Sequence, residues 1–343
     1  MDTKRIKKYL RTFTHSERKS VVCIGGGTGT FVTLSGLKAF PLNLSAVVTM
    51  SDSGGSNKRI RDEFGLLPTS DIRQCLIALS AENGKSGLLR KLFMYRFEKG
   101  EGISGMTFGN LFMAALTDIV GSQEEAIKQT SKVLRINGSV IPVSFTDTNL
   151  FATYENGVTV SEEHLIDEPK HDGTLHITKL SLKPRATANP QAVEALKNAD
   201  LIVLGPGDLY TSLLPNIVVD NIADAIKNSS AKKVYVMNLM TKFGQTYNFS
   251  AKDHIKTLEK YIGKSIDYVL VNTSEYPGDV LKKYKDMKEF PVVDDLPEKA
   301  YYKVIREPFV SSALVAKSSS DTLVRSLIRH DSDKLAAQLA KLV

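Results

Sequence analysis

Gly25-Gly26-Gly27-Thr28-Gly29 follows a short apolar run, Val21 to Ile24, and offers bare backbone where most sites offer side chains. Successive glycines remove the Cβ atoms that would keep a ligand off the main chain. A helix opening near Phe31 to Lys38 would point its first N–H groups outward, since they lack intrahelical partners. A strand, a bare turn and a helix start in that order suit an anion, usually a phosphate. The dinucleotide fingerprint fails in this frame, because Thr30 stands where its third glycine belongs. The P-loop pattern fails as well, for want of a Lys-Ser or Lys-Thr at the required spacing. The bland alternative is a turn that only lets the helix pack closely on the sheet.

Further turns of the same kind weigh against that alternative. Ala46 to Met50 reads as a second strand and runs into Ser51-Asp52-Ser53-Gly54-Gly55-Ser56-Asn57. Leu201 to Leu204 reads as a third and runs into Gly205-Pro206-Gly207-Asp208-Leu209-Tyr210-Thr211-Ser212. Parallel strands of βαβ units bring such turns to one carboxyl edge, where open α/β sheets bind ligands. The candidates are Gly25 to Gly29 for a diphosphate, with Asp52, Ser53, Gly54, Gly55 and Ser56 flanking it. Gly205, Gly207, Asp208, Tyr210, Thr211 and Ser212 would close the far side. Asn238 and Asn272, just past two later strands, are placed to hydrogen-bond a base or sugar. Asp71 and Arg73, in the first turn of a helix capped by Ser70 or Thr69, would order the mouth. Asn110 would cap a helix or present its amide to a ligand.

The elements that must hold these residues follow a βα rhythm with one interruption. Apolar faces predict helices over Ser86 to Phe97, Gly109 to Leu116 and Gly121 to Leu134. Between Asn137 and Lys183 the texture becomes short alternating runs: Val140 to Phe145, Leu150 to Tyr154, Val158 to Val160 and Leu175 to Leu182. These read as an antiparallel, β-rich section at about 137–183. The rhythm resumes with Val234 to Met237, a helix from Asp253 to Tyr261, and Tyr268 to Val271. A helix near Asn216 to Ile226, short strands within Val292 to Val315 and a helical pair from Thr322 to Leu342, broken at Arg329-His330-Asp331, complete the expectation. The fold class is α/β, a Rossmann-like three-layer fold with a mostly parallel sheet, as one domain over 21–343 behind a basic extension, 1–20.

At 343 residues, 42% hydrophobic and 24% charged, the chain has the composition of an ordinary globular protein. Its net charge of +7 is concentrated: residues 1 to 20 carry seven Lys and Arg against Asp2 and Glu17. The remainder is near neutral, which argues against nucleic acid as a partner. Ile6, Leu10 and Phe13 would give the extension one apolar face toward the body or a protein partner, unless it is a frayed tail. No run long enough to span a membrane and no secretory signal is present, so a cytoplasmic location is expected. Cys23 and Cys75 fit reduced core positions. Glu162, Glu163, His164, Asp167, Glu168, His171, Asp172 and His176 match no compact metal-ligand spacing and read as solvated turns. His330, beside Asp331, reads as a cap or surface residue, and no nucleophile, general base or metal site stands out.

The string GGGTG, with SDSGGSNKRIRDEFGLLP-TSDIRQCL, FGNL, ADLIVLGPGDLYTSLLPN, NLMTKFGQT, the Asp253-His254 pair and IRHD, resembles the YvcK/CofD family in motif order from about residue 21 to 331. The resemblance is to the gluconeogenesis-factor branch rather than the 2-phospho-L-lactate transferase branch. It implies a Rossmann-like fold, a UDP-sugar ligand with UDP-N-acetylglucosamine leading, and a role in cell shape and cell-wall precursor balance. One departure bears on chemistry: the family commonly carries two adjacent acids in the second turn, and here Ser53 follows Asp52. One carboxylate holds a divalent metal against a diphosphate less well than two, so no cofactor is required on this reading and Mg²⁺ is doubtful. The rival is a transferase moving a phosphate-linked group from a nucleotide donor. An NAD-linked oxidoreductase is a third reading, with Asp52 in the place of a ribose-binding acid. A homo-oligomer stays open.

Overall fold

Val21, Val22, Cys23 and Ile24 are all buried, as an apolar run requires of a strand covered on both faces. The computed structural model describes residues 18–51, 53–81, 85–312 and 326–343. The basic extension up to residue 17, Asp52, and the stretch 313–325 therefore lie outside the described residues. Strand β1 (Ser20–Gly25) is an inner strand of a seven-stranded sheet. With β2 (Asn43–Val48), β3 (Ser139–Pro142), β4 (Asn149–Tyr154), β5 (Thr159–Ser161), β6 (Ile177–Lys183), β7 (Leu201–Leu204), β8 (Lys232–Val236), β9 (Tyr268–Asn272) and β10 (Lys303–Glu307), the sheet order is β10-β9-β8-β7-β1-β2-β3. Every pairing in it is parallel; Val21 lies beside Leu44 on one side and Leu201 on the other.

Because side chains alternate along a strand, β1 feeds two cores. Val21 and Cys23 pack under helices α1 (Gly27–Leu37), α3 (Ser70–Leu79), α6 (Gln123–Leu134) and α13 (Ser332–Ala340), through Leu34, Leu76, Ile127 and Leu335. Val22 and Ile24 face the opposite layer, built from α8 (Pro190–Lys197), α10 (Ile222–Asn228) and α11 (Ala251–Ile262), with Leu196, Ile226 and Leu258. Helices α2 (Gly55–Phe64), α4 (Lys85–Met94), α5 (Phe108–Val120), α7 (Glu163–Asp167), α9 (Leu214–Ile217) and α12 (Gly278–Asp286) complete the set. Cys23 and Cys75 are both buried and free, and burial pushes the Cys23 thiol up to about 12.

The antiparallel section is smaller than its texture suggests. Strands β5-β4-β6 form a separate three-stranded sheet, with Leu150 opposite Leu182. The Val140 to Phe145 run belongs elsewhere: β3 pairs parallel with β2, Ser139 beside Ser45. A short apolar run gives no period by which to tell an edge of the main sheet from an antiparallel strand. Past β7 the expected single helix is a π-helical turn at Leu209–Leu213, one α-turn in α9, and then α10. At the C-terminus only α13 is helical among the described residues; Ser326 to Asp331 is extended, with His330 bridged to Val310.

Candidate functional site

Strand order reverses between β1 and β7, since the chain goes outward through β2 and β3 and then returns to β7 and goes out the other way. Connections leave such a point in opposite directions and open a crevice above it. Here the turn after β1 and the turn after β7 meet. A Cβ built on Gly29 would stand 2.0 Å from the carbonyl oxygen of Pro206, so only glycine permits the contact. A Cβ on Gly26 would stand 2.1 Å from Asp71 Oδ2, which lets that carboxylate lie over the turn. Gly26 is also the N-cap of α1 and brings no side-chain cap, and α1 has no acid in its first turn. With no cap of its own, the helix start looks to other acceptors, and the Asp71 carboxylate stands over the Gly26 turn beside it.

These turns line a cleft of about 540 Å³. Gly26, Gly27, Thr28, Gly29, Gly207, Asp208, Thr211 and Ser212 border it, whereas Gly25 and Gly205 end their strands beneath. Gly205 donates its N–H to the Ile24 carbonyl, which fixes the two strand ends to each other. Ser53 and Gly54 bring the second turn to the same cleft, and α2 begins at Gly55. Ser53 Oγ accepts the His164 backbone N–H at 3.1 Å and bonds His164 Nδ1 at 3.1 Å. The Ser53 N–H donates to Glu163 Oε2 at 3.4 Å.

Asp71 and Arg73 line the cleft, and Asn110 is not among its lining residues. Asn110 is fully buried: its Oδ1 accepts from Arg73 Nε at 2.8 Å, and its Nδ2 donates to Ser70 Oγ at 3.0 Å. Ser70 Oγ in turn donates to Asn57 Oδ1 at 2.8 Å, so a run of hydrogen bonds fixes Arg73 from behind. The cap of α5 is Thr107, whose side chain accepts from Asn110 N.

Three further expectations need correction. Tyr210 points away from the cleft, its hydroxyl donating to the Ile177 carbonyl at 3.1 Å inside the core. Asn272 braces the end of β9: it accepts from the N–H groups of Ser274 and Phe309 and donates to the Ser274 carbonyl and Tyr276 Oη. Asn238 does line the cleft, but its Nδ2 donates to the Gly207 carbonyl at 2.8 Å and its Oδ1 accepts from Tyr235 Oη at 3.1 Å. Its role is therefore to hold the third turn.

Several residues passed over in the sequence line the cleft. Glu163, His164, Asp167 and Glu168, read as solvated turns, sit on or beside α7 and face it. His330, read as a cap or surface residue, is 8% exposed and borders it, while Asp331 does the capping of α13. Lys242, from the loop after β8, lies among Asp167 at 3.9 Å, Glu289 at 3.5 Å and Asp208. Burial opposes the Lys242 charge, yet these three carboxylates outweigh it and hold the ammonium above its usual range. Burial first, then Asp167 and Glu289, pushes the Asp208 carboxyl up to about 6, against the pull of Lys242. On the other side Lys58, Arg59 and Arg96 line the rim. Arg59 Nη1 donates to the carbonyls of Gly102 and Ser104. A single charged residue in a loop carries no periodic signal, so only the repeated motif order marked NLMTKFGQT, which contains Lys242, as notable.

Known proteins match this chain along most of its length. The family model described as 2-phospho-L-lactate transferase CofD matches residues 21–310. The gluconeogenesis factor of Bacillus subtilis is 38% identical over 331 residues, covering 95% of this chain and 99% of that protein. The gluconeogenesis factor of Halalkalibacterium halodurans is 42% identical over 281 residues, covering 81% and 85%. A crystal structure of a Bacillus halodurans protein, described as a member of the UPF0052 family, superposes with a TM-score of 0.83 at 36% identity, over 94% of this chain and 99% of that one.

Proposed function

Since the chain belongs to the CofD family, with relatives named gluconeogenesis factor, we propose that its cleft binds a nucleoside diphosphate sugar, UDP-N-acetylglucosamine first among them. On this reading the protein is a cytoplasmic regulator affecting cell shape and cell-wall precursor balance. The observation that carries it is the contact of two glycine turns, Gly26 to Gly29 and Pro206-Gly207, at the start of α1, whose N-cap residue brings no side chain. Bare N–H groups at a helix start, in a crevice at the strand-order reversal, suit a diphosphate. Thr28, Ser53 and Ser212 add hydroxyls around it, and Arg73 a buried charge.

Among the described residues no three His, Cys, Asp or Glu side chains are grouped to hold a metal ion. Where Asp167, Asp208 and Glu289 converge, Lys242 supplies the positive charge. Binding is expected to need no divalent ion, because Asp52 is followed by Ser53 where a metal would take a second carboxylate. Isothermal titration tests it: UDP-N-acetylglucosamine and UDP should release heat, with chelator present or absent, and NAD should not. Heat with NAD alone would overturn the reading.

One observation favours a transferase as second reading. A carboxyl at about 6, as in Asp208, can accept a proton from an acceptor hydroxyl near neutral pH. Mg²⁺-dependent transfer of a phosphate-linked group, lost on substituting Asp208, would establish it.

A further inference from the structure

The two halves of the cleft differ in charge, and the sheet order says which half is which. Elements after β2 bring Lys58, Arg59, Arg73 and Arg96 to one side. Elements after β7, β8 and β9 bring Asp208, Lys242 and Glu289 to the other, where α7 adds Asp167. Among the described residues the cations on this second side are Lys242 and Arg329, and Lys242 is already engaged by carboxylates. No described residue donates a hydrogen bond to the Asp208 carboxylate, although it lines the cleft. His330 adds an independent sign of a ligand at this end. Its imidazole is 8% exposed and borders the cleft; the Met237 backbone takes one hydrogen bond from the ring, and no described residue engages its remaining nitrogen.

A carboxylate without a hydrogen-bond donor, here Asp208, and a neutral imidazole accept hydroxyl and amide N–H groups; Glu289 already takes the Lys242 ammonium and the Phe243 N–H, and both carboxylates repel another anion. We infer that this half of the cleft selects the sugar: Asp208 and His330 accept an uncharged, hydroxyl-rich hexose, and the charges of Asp208 and Glu289 exclude a hexuronic acid. The inference rests on the nucleoside diphosphate reading, with the phosphates at the glycine turns, and adds that the sugar lies toward β8 and β9. An acidic sugar in that pose would set its carboxylate against Asp208 and Glu289 in a partly buried site, where like charges are poorly screened.

Titration of the full chain with UDP, UDP-glucose and UDP-glucuronate tests this. The wild type should bind UDP-glucose about tenfold or more tighter than UDP-glucuronate, as expected for a like-charge contact. Asp208→Asn and Glu289→Gln keep side-chain shape and remove one charge each, so each should bring the ratio of the two affinities closer to one. Reading a ratio within each variant separates selectivity from a general loss of fold, and the wild-type ratio stands without any variant. Equal wild-type affinities, or a ratio unmoved in both variants, overturn the inference while leaving diphosphate binding intact. No heat with UDP or either sugar nucleotide overturns the nucleotide reading itself.

Discussion

A methyl group is enough to test the central contact. Gly29→Ala would place Cβ 2.0 Å from the Pro206 carbonyl oxygen and 2.6 Å from its carbon, both backbone atoms with little room to give. Separating the two turns should cost about 1–3 kcal/mol of stability, the usual range for overpacking, and should abolish the heat of UDP binding. A variant that melts with the wild type and still binds UDP would sink the proposed cradle. The glycines of this site were legible because bare backbone after an apolar strand has few other uses. The side chains were less so. Asn110, Tyr210 and Asn272 look like ligand contacts in a sequence, yet buried polar groups must find partners, and here the partners are Arg73, the Ile177 carbonyl and the ends of β9. Lys242 and Glu289 gave no signal because their meeting depends on loops far apart in the chain, after β8 and after β9.

Elements rather than residues decide how the second turn is held. The β5-β4-β6 sheet carries α7, and α7 reaches back to Ser53 through His164 and Glu163. A segment that reads in sequence as an insertion with polar turns is thus a brace for the cleft. The parallel sheet and its helices follow from βα rhythm, but the brace joins residues more than 100 positions apart, which no local period reports. His164→Ala keeps the backbone N–H bond to Ser53 Oγ and removes the ring. Losing one partly buried hydrogen bond should cost about 0.5–1.5 kcal/mol at most. Amide exchange over Ser53 to Asn57 should quicken and UDP affinity fall several-fold, with the main sheet's exchange unchanged. Unaltered exchange in that turn would remove α7 from any role in holding it.

For the molecule as a whole, two buried imidazoles set the acid limit of stability. His254 lies fully buried in α11, its Nδ1 bonded to the Ser250 carbonyl at 2.9 Å, and His330, mostly buried, borders the cleft. Burial holds both at about 4, below the ordinary 6.5. The unfolded chain therefore takes up protons at both as pH falls through 6.5, while the folded chain stays neutral there until about 4. Stability is then fully present above about 6.5 and is lost between 6.5 and 4, by at most about 3 kcal/mol for each group. Asp208 acts in the opposite sense, because its folded carboxyl, at about 6, binds a proton before the unfolded one does. It stabilises the fold on acidification over the window from about 6 down to its ordinary 3.8, and so offsets part of the loss. Glu289, also held above its ordinary range by burial, adds to this offset, while Asp200 and Asp253, held low by their hydrogen bonds, add to the loss; the net is a decline. Urea midpoints should fall from pH 7 to pH 4.5; His254→Leu should flatten that decline, and Asp208→Asn should steepen it while raising the midpoint at pH 7. A midpoint constant across this range in the wild type would mean that neither imidazole is kept from water in the folded chain.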